Sequence, residues 1–456
     1  MSTPKMTRRS ALAAMLAAGA LPLVRPFAEQ KRVIVIGAGA AGLAAARELT
    51  DKGAEVVVLE ARDRLGGRAM TDQTLAAYPV EMGAEFVHGQ NALTWRYIKE
   101  FRLATLPAEN RDTSYHLYMN GTLHDYDTWL TANTGSDKDP EVRIENAAAD
   151  WVDEEEMEIS LAELIRVSDS LAPLRKPEVM RLIDNQFGEE VAANLDQMGV
   201  YGLAEATYPG DGRQDYRIKR GYAELFTHMA AGLNIHLNTE VARISWGGAD
   251  VVVTARDGRI FSGDAVVITL PIAVLQAEVV QFDPPLPAWK MEAINAIGAG
   301  HVTKIALAFS SRFWPETLGE LYSDRTFQVW WQPGYGRSIP SNVLMANTGG
   351  RSGLFLESLT ERDAIEMALE EVSGIFGSSI RALLMAGSFK AWGTDPFARM
   401  GYSYLPPDAD GYRSEVAESV GGLYFAGEAT NTIRPASVHG AIESGIRAAA
   451  EVAASL

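Results

Sequence analysis

The sequence predicts an α/β fold in which a nucleotide-binding sheet is assembled from separated stretches of chain and an α+β domain is inserted between them. An apolar strand, a glycine turn and an alanine-rich helix follow one another directly after residue 31. Strand-like segments return after a mainly helical stretch, at residues 235–270 and again near residue 423. The chain has 456 residues, enough for two or three domain-sized units, so a sheet with a large insertion fits its length.

The first elements form a βαβ unit. An apolar strand over residues 33–36 leads through a turn into a helix over about residues 40–52. A second strand, residues 55–59, ends at Glu60. Strand, helix and strand within about 30 residues are the order expected of a βαβ unit with a parallel pair.

The turn of this unit carries the pattern Gly37-x-Gly39-x-x-Gly42. Gly37 permits a tight turn, Gly39 lets the backbone approach a pyrophosphate, and Gly42 lets the helix lie close to the sheet, beside the small Ala41. The helix N-terminus offers N–H groups and a positive dipole end to phosphates, and Glu60 can accept hydrogen bonds from a ribose. The pattern alone is weak and also fits a structural βαβ unit with an incidental glycine turn. The strand before it and the helix after it favour a Rossmann-like dinucleotide site.

Later segments divide the remaining chain between two domains. Residues from about 92 to 216 are rich in Trp, Glu and helix formers, including the stretches 151–167 and 177–187, and they predict a mainly helical insertion. A final strand, residues 423–426, leads into a helix over about 438–455. We assign the dinucleotide-binding domain to residues 31–93, 217–288 and 395–456, and the inserted mixed-sheet and helical domain to residues 94–216 and 289–394.

Composition excludes several classes of function. The chain has 41 Lys and Arg against 59 Asp and Glu, a net charge of −18, so a basic nucleic-acid-binding surface is not expected. It has no cysteine, which excludes disulfides, thiolate metal sites and cysteine nucleophiles. Its seven histidines show no HExxH-like spacing, so no metal site is predicted.

The N-terminus predicts an export signal over residues 1–28. Arg8 and Arg9 precede a mild apolar run at residues 11–24, and Ala28 supplies a small residue before a polar start. Paired arginines before such a run are typical of twin-arginine export, which would place the protein in a bacterial periplasm. The run is too short and weak to span a membrane. The alternative is a cytosolic protein with a basic N-terminal helix.

Motifs at both ends of the chain resemble the flavin amine oxidase superfamily. The first runs from Glu60 through Arg62, Gly67 and Arg68, and a second segment contains Gly83 and Ala84. The C-terminal motif contains Gly427 and Glu428, followed by a helix that begins near Val438. The resemblance implies that the dinucleotide is FAD. It implies that Arg68 binds phosphate oxygens, that Glu428 contacts the ribityl chain, and that Val438 begins a helix directed at the flavin ring. It further implies that the backbone of Val241 contacts the adenine.

A second set of residues is similar to polyamine oxidases and lysine-specific histone demethylases. Lys304 lies in an apolar strand-like stretch, where a charge is costly; in the family this lysine is bridged by water to flavin N5. Trp392 and Tyr402 match the aromatic wall that positions the amine, and His88 matches a histidine of animal polyamine oxidases. Read from the residues alone, Lys304 also fits an edge strand facing solvent, Trp392 and Tyr402 fit a core, and His88 fits a structural role.

The sequence departs from monoamine oxidases at two positions. Gly401 stands where those enzymes carry the cysteine that binds flavin covalently, and Ser437 stands where they carry a second cage tyrosine. The FAD is therefore expected to be non-covalent and the substrate to be a polyamine. Glu85 and the acidic run at residues 153–156 are candidates to attract distal ammonium groups, although such a run is also typical of a solvated helix face.

The resemblance implies oxidation of an amine to an imine, hydrolysis to an aldehyde and an amine, and reduction of O2 to H2O2. The expected partners are a small amine and O2; the oligomeric state is left open. Alternatives within the superfamily are an L-amino-acid oxidase, a carotenoid-type desaturase, and a periplasmic dehydrogenase with a protein electron acceptor. A flavin-binding scaffold without turnover is the alternative from a different class.

Overall fold

A computed structural model describes residues 30–110, 112–154, 157–206, 214–339 and 341–456. Residues 1–28, which carry the predicted export signal, lie outside the described residues. The described chain has the predicted mixed α/β architecture, with one parallel sheet and one larger mixed sheet.

The strands are short in the nucleotide-binding part and longest in the larger mixed sheet. In chain order they are β1 (Arg32–Ile36), β2 (Glu55–Leu59), β3 (Thr71–Asp72), β4 (Val80–Glu81), β5 (Thr105–Pro107), β6 (Ser114–Met119), β7 (Thr122–Asp125), β8 (Tyr216–Ile218), β9 (Asn234–His236), β10 (Val241–Ser245), β11 (Val251–Ala255), β12 (Ile260–Gly263), β13 (Ala265–Ile268), β14 (Gln281–Asp283), β15 (Gly298–Ala299), β16 (Val302–Phe309), β17 (Leu318–Ser323), β18 (Val329–Trp331), β19 (Val343–Gly349), β20 (Leu384–Ala391), β21 (Ser403–Tyr404) and β22 (Leu423–Phe425).

The helices are concentrated in the middle of the chain and at its end. In order they are α1 (Ala40–Asp51), α2 (Thr94–Glu100), α3 (Tyr126–Thr134), α4 (Pro140–Glu154), α5 (Leu161–Val167), α6 (Pro177–Val191), α7 (Val200–Ala206), α8 (Tyr222–Ala230), α9 (Ile272–Gln276), α10 (Ala288–Ala296), α11 (Gly350–Leu356), α12 (Glu361–Phe376), α13 (Tyr412–Ala417) and α14 (Val438–Ser455). Short 3₁₀ segments lie at Asp169–Arg175, Ser378–Leu383 and Glu428–Thr430.

The parallel sheet is assembled from distant parts of the chain, as predicted. Its order is β22-β13-β1-β2-β9, and every pairing in it is parallel. At its centre Ile34 lies between Val57 and Val266, and Val266 in turn lies beside Leu423. The central strands are apolar along their length because helices and loops cover both faces of the sheet.

Helices α1 and α14 pack on one face of the parallel sheet. Leu43, Ala44 and Ala448 are fully buried in one apolar cluster between these helices and the sheet. Ile34 and Val266 face a second cluster on the other side, to which α10 contributes Ile294. A smaller sheet of order β12-β11-β10-β14 lies beside this nucleotide-binding core.

The larger sheet carries the middle of the chain. It has the order β20-β16-β19-β18-β17-β6-β7, and β16 is an interior strand that pairs antiparallel with β19 and β20. All eight residues of β16 are buried. Helix α6 packs against this sheet near β19 and β17, so the sheet and the helical insertion share one side of the molecule.

The predicted helical insertion differs from the structure in two respects. The stretch 151–167 is not continuous: α4 ends at Glu154, and α5 begins after Ser160, whose hydroxyl accepts a hydrogen bond from the Glu163 N–H at 3.2 Å. The insertion also contributes strands, because β6 pairs with β17 more than two hundred residues later, with His116 opposite Leu321. A pairing at that separation leaves no local sequence pattern.

The predicted domain limits stay a prediction. Tyr97 and Ile98 of α2 are buried in the nucleotide-binding core, although residues 94–100 fall in the segment assigned to the inserted domain. Strand β8 (Tyr216–Ile218) crosses another predicted limit. Among the described residues, no helix combines the length and the apolarity needed to cross a bilayer.

Candidate active site

One cavity of about 780 Å³ joins the glycine turn after β1 to the larger sheet. Its wall includes parts of β1, the turn before α1, the start of β10, the middle of β16 and the start of α14. Since these segments span almost the whole described chain, the cavity forms only when the two sheets are brought together.

The glycine turn forms the first end of the cavity. Gly37, Gly39 and Ala41 line it, and Gly39 is the N-cap of α1 without a side-chain capping bond. The first N–H groups of α1 are therefore available to an anion. Gly42 does not line the cavity; a Cβ atom there would lie 1.9 Å from the Gly37 carbonyl oxygen, so only glycine lets α1 begin so close to the turn.

Glu60 lies at the tip of β2, beside the turn. Its carboxylate accepts hydrogen bonds from the Ala38 N–H at 2.7 Å and the Arg62 N–H at 2.9 Å. Glu60 also lines the cavity, where the remaining lone pairs of its oxygens can face a ligand. Arg62 pairs with Asp395 at 2.7 Å and lies 5.2 Å over the ring of Phe397, which ties the first βαβ unit to the chain after β20.

Arg68 and Glu428 form an ion pair with each other. An Arg68 Nη1 atom donates to Glu428 Oε1 at 2.8 Å and to the Gly401 carbonyl at 2.7 Å. Glu428 also accepts from the Ser403 hydroxyl at 2.6 Å. Burial would raise the pKa of Glu428, but the charges of Arg68 and Arg413 outweigh burial and hold that pKa below its usual range. The sequence predicted both residues at the cofactor without predicting this pair.

The other predicted cofactor residues border the same cavity. Both the first motif and the C-terminal motif contribute, and so does the start of β10: the residues are Gly67, Gly83, Ala84, Val241, Gly427 and Val438. Val438 is the first residue of α14, whose N-cap Ser437 accepts a hydrogen bond from the Gly440 N–H at 3.0 Å.

Lys304 lies in the middle of β16 and is 6% exposed, so it does not face solvent from an edge strand. Its Nζ donates to the Glu81 carbonyl and to Glu85 Oε2, both at 3.3 Å, and lies 5.0 Å from the centre of the Trp331 ring. Lys304 therefore presents an ammonium group at the cavity wall, held from several sides.

Glu85 is a partner of Lys304 and not a receptor for distal ammonium groups, so that expectation was wrong. Its Oε1 accepts from Arg217 Nε at 2.6 Å, and the Trp331 Nε1–H lies 3.1 and 3.2 Å from its two oxygens. Both oxygens are thus occupied by groups of the protein. The acidic run was also a candidate; residues 155–156 of it lie outside the described residues.

Trp392 and Tyr402 lie together on one wall of the cavity. They share an apolar cluster with Val302 and Ala192. The Trp392 Nε1–H donates to the Met82 carbonyl at 3.0 Å, and the Tyr402 hydroxyl donates to the Glu189 carbonyl. Between them, a Cβ atom on Gly401 would lie 2.3 Å from Val302 Cγ2, so this position has no room for a side chain.

His88 lies at the rim of the cavity, with its side chain 44% exposed. Its Nδ1 lies 3.1 Å from Asp215 Oδ2, and the other oxygen of Asp215 accepts from the Gly89 N–H at 3.3 Å. Asp215 therefore orients the histidine ring.

The far end of the cavity is an acidic chamber, which the sequence analysis missed. Its carboxyl groups come from α4, α6, β17 and the residue before α4: Asp139, Glu141, Glu189, Glu190 and Glu320. Among the described residues, none of these five carboxyl groups forms an ion pair with a basic side chain. Glu189 and Glu190 stand in the last turn of α6, where the helix dipole disfavours acids; that is the one local signal that could have drawn attention to them.

Burial perturbs the acidic chamber strongly. It raises the pKa of Glu189 to about 8, in spite of a hydrogen bond from Asn347. It raises the pKa of Glu320 to about 7, in spite of the Tyr322 hydroxyl that donates to this carboxylate at 2.6 Å. Burial and the neighbouring Glu190 together raise the pKa of Glu141 well above its usual value. Four of the five carboxyl residues are half-buried and Glu190 is exposed; the ammonium group of Lys304 is close enough to lower the pKa of Glu189 but does not outweigh the effect of burial.

Two buried amide oxygens border the acidic chamber without a hydrogen-bond partner. They are Oε1 of Gln186 and Oδ1 of Asn347, and each residue is 7% exposed and lines the cavity. An unpaired buried acceptor is costly, so both oxygens favour a ligand that donates hydrogen bonds. In the described part of the chain, no group of three or more His, Asp or Glu residues is arranged to hold a metal ion.

Comparison with known proteins agrees with this geometry. A family model described as flavin containing amine oxidoreductase matches residues 40–453. The chain is 31% identical to polyamine oxidase 4 of Oryza sativa subsp. japonica, over 94% of this chain and 90% of the relative. It is 29% identical to human lysine-specific histone demethylase 2, over 93% of this chain but only 53% of that protein.

Solved structures show the same fold. Cyclohexylamine oxidase from Brevibacterium oxydans IH-35A superposes with a TM-score of 0.79 at 20% identity, over 94% of this chain and 99% of the other. Wild-type putrescine oxidase bound to putrescine gives a TM-score of 0.79 at 22% identity, over 93% and 99% of the two chains.

The chain therefore belongs to the flavin-containing amine oxidoreductase family. Within that class it is an FAD-dependent enzyme that oxidises amines. The cavity fits the cofactor: it begins at an uncapped helix N-terminus and a buried carboxylate suited to a ribose, and it continues to the buried ammonium group of Lys304.

Proposed function

We propose that the enzyme oxidises a di- or polyamine, with O2 as the final electron acceptor. The observation that carries this proposal is the acidic chamber, which lies in the same cavity as Lys304, Trp392 and Tyr402. A substrate that spans the cavity would place one nitrogen at the aromatic wall and another among the carboxyl groups.

Charge and hydrogen bonding both support a cation in the acidic chamber. Buried carboxylates are costly unless a positive charge compensates them. An alkylammonium group supplies that charge, and its three N–H bonds match carboxylate and amide acceptors such as those of Glu189, Glu320 and Asn347. An amino acid substrate would bring a carboxylate instead, which the chamber would repel, so an L-amino-acid oxidase is disfavoured.

The residues of the chain position the substrate and control its charge. The acidic chamber holds the distal ammonium group, while Trp392 and Tyr402 form an apolar wall that favours a neutral reacting nitrogen. When bound, FAD accepts the hydride equivalent from the carbon next to that nitrogen. His88, oriented by Asp215, is placed at the rim to accept a hydrogen bond or a proton from a nitrogen of the substrate. Water then converts the imine to an aldehyde and an amine, and O2 is reduced to H2O2.

The FAD is proposed to be non-covalent. The chain has no cysteine, and the wall position Gly401 has no room for a side chain beside Val302. Denaturation followed by filtration is expected to release all the FAD from the protein.

The function is tested by mixing the FAD-loaded enzyme anaerobically with putrescine, spermidine and spermine, and with butylamine as the control that lacks a distal ammonium group. We expect the di- and polyamines to bleach the flavin absorbance and butylamine to act much more slowly. In air, the enzyme should consume O2 and release H2O2 in equal amounts. Reduction of an added dye, without consumption of O2 or release of H2O2, would indicate a dehydrogenase. Equal rates with butylamine and putrescine would refute the role of the acidic chamber, and no bleaching by any amine would support a scaffold.

We also propose export by a twin-arginine route, on the evidence of residues 1–28 alone. In a bacterial host, Arg8→Lys together with Arg9→Lys should retain FAD-loaded protein in the cytoplasm, whereas the unchanged chain should reach the periplasm. Equal distribution of the two chains would refute the proposal.

A further inference from the structure

Glu85 joins the two buried cations beside the cavity. It lies in the loop after β4, two residues before the bridge that Val87 makes with Tyr216, and its side chain is 1% exposed. Arg217 in β8 lies on one side of its carboxylate and Lys304 in β16 on the other. These three residues come from three different parts of the chain.

The two oxygens of Glu85 have different tasks. Oε1 accepts the short bond from Arg217 Nε at 2.6 Å, and Oε2 faces Lys304 Nζ at 3.3 Å. The Trp331 Nε1–H lies 3.1 and 3.2 Å from the two oxygens, so it fixes the rotation of the carboxylate. Arg217 is itself held, because it donates to the Ala108 carbonyl at 3.1 Å and lies 4.7 Å over the ring of Phe86. The carboxylate is therefore a fixed group with one oxygen directed at the lysine.

The charge of Glu85 is secured by the same contacts. Burial alone would raise the pKa of Glu85, but the positive charges of Arg217 and Lys304 and the hydrogen bonds from Arg217 and Trp331 lower that pKa below its usual range. An ionised carboxylate 3.3 Å from Lys304 Nζ attracts the lysine through its charge as well as through the hydrogen bond.

We propose that Glu85 is a positioning residue for Lys304: anchored by Arg217 and Trp331, it holds the lysine as an ammonium ion directed at the cavity wall. This inference rests on the proposed function only in assigning Lys304 to the reacting end of the cavity. A simpler role for Glu85 would be to neutralise Arg217. The two roles predict different acylation rates of Lys304 when the charges of Glu85 and Arg217 are removed together.

The test measures the reactivity of Lys304 in FAD-loaded protein without any substrate. Acetic anhydride acylates neutral amines, so the acylation rate of Lys304 at pH 8, followed by peptide mass spectrometry, reports how firmly the ammonium form is held. Lys390, which pairs with Asp395 at 2.6 Å, serves as the internal reference. The variants are Glu85→Gln and the charge-compensated double variant Glu85→Gln with Arg217→Gln, which leaves no unpaired buried arginine.

The matched control is Glu81→Gln. Glu81 is also buried and lies four residues away. Its carboxylate accepts hydrogen bonds from the Thr71 hydroxyl and the Tyr222 N–H, whereas Lys304 donates only to its backbone carbonyl. We expect acylation of Lys304 to be about tenfold faster in both Glu85 variants, from loss of a nearby opposite charge, and to change less than about twofold in Glu81→Gln.

Several results would overturn the inference. If Lys304 is acylated at the wild-type rate in the double variant, Glu85 only neutralises Arg217. If Glu81→Gln accelerates the acylation of Lys304 as much as the Glu85 variants do, the effect comes from a general loss of packing. Loss of FAD from the double variant would show that the role is structural. If Glu85→Gln alone does not fold, the double variant decides. Because no amine substrate is used, the acylation rates test the role of Glu85 even if the enzyme does not oxidise polyamines.

Discussion

Lys304, Glu189 and Glu320 line the same cavity. Lys304 could be assigned from the sequence because a lysine between apolar residues is unusual and matches a family pattern. Glu189 and Glu320 could not, since acids on a helix and a strand are ordinary until tertiary structure buries them in one place. Glu85 was expected to attract an ammonium group of the substrate, because the side chains that bond to it, Arg217 and Trp331, are 132 and 246 residues away in the sequence.

The pKa values of Glu320 and Glu189 predict how substrate affinity depends on pH. Because burial raises these pKa values to about 7 and about 8, both groups are largely neutral at pH 6 and become anionic as the pH rises. The KM for putrescine should therefore fall between pH 6 and pH 8.5. Glu320→Gln should raise that KM about 10- to 100-fold at pH 8, the cost of one charged hydrogen bond, and should leave the KM for butylamine unchanged.

Steady-state kinetics across this range checks the expectation. A KM for putrescine that does not vary with pH, or a Glu320→Gln variant that weakens butylamine as much as putrescine, would contradict a distal ammonium group in the acidic chamber.

At the scale of elements, the sequence predicted best what is local. The strand–turn–helix unit at residues 33–52 and the strand and helix near the C-terminus were identified because their glycines and apolar patterns are short-range signals. The break between α4 and α5 was missed, although Ser160 with Glu163 is a capping pattern. Strands β6 and β7 were missed although the Asn120-Gly121 turn between them is a hairpin signal; the pairing of β6 with β17, in contrast, joins distant parts of the chain.

The start of α1 allows a prediction about backbone packing. Any side chain at Gly42 overlaps the Gly37 carbonyl, where a Cβ would lie 1.9 Å away. Gly42→Ala should lower the free energy of unfolding by about 1–3 kcal/mol, the usual cost of overpacking, and should reduce the FAD content of purified protein. Gly374→Ala in α12 is the control, because a Cβ there meets nothing within 4 Å and alanine favours a helix.

Thermal unfolding and the ratio of flavin to protein absorbance measure both effects. If the two alanine variants behaved alike, the close approach of α1 to the turn would not be what requires glycine at position 42.

For the whole molecule, buried acids set the dependence of stability on pH. Burial raises the pKa of Glu81, Glu189 and Glu320 to between about 7 and about 8 in the folded state, above the value of about 4.3 for an unfolded glutamate. The folded protein then binds more protons than the unfolded chain between these values, so the stability these groups contribute is lost as the pH rises from about 4.5 to about 8. Glu85 and Glu428, whose pKa values are lowered, act in the opposite direction and destabilise the fold only below about pH 4.5.

The Tm of the FAD-loaded protein should accordingly fall between pH 5.5 and pH 8.5, and spermidine should restore part of it. Glu189→Gln removes a buried charge without a cation and should stabilise the free enzyme at pH 8.5 by about 1 kcal/mol, while it weakens polyamine binding. Calorimetry without spermidine measures the stability of the free enzyme, and calorimetry with spermidine measures polyamine binding. A Tm that rises with pH would contradict the conclusion that the carboxyl groups of the acidic chamber have no cationic partner.

The parallel sheet depends on segments far along the chain. Its edge strand β22 comes from residues 423–425, and α14 at residues 438–455 covers the sheet beside α1. A chain truncated after residue 418 lacks both elements, and with them Gly427, Glu428 and Val438 of the cavity wall. Such a truncated chain should therefore purify without FAD and remain colourless.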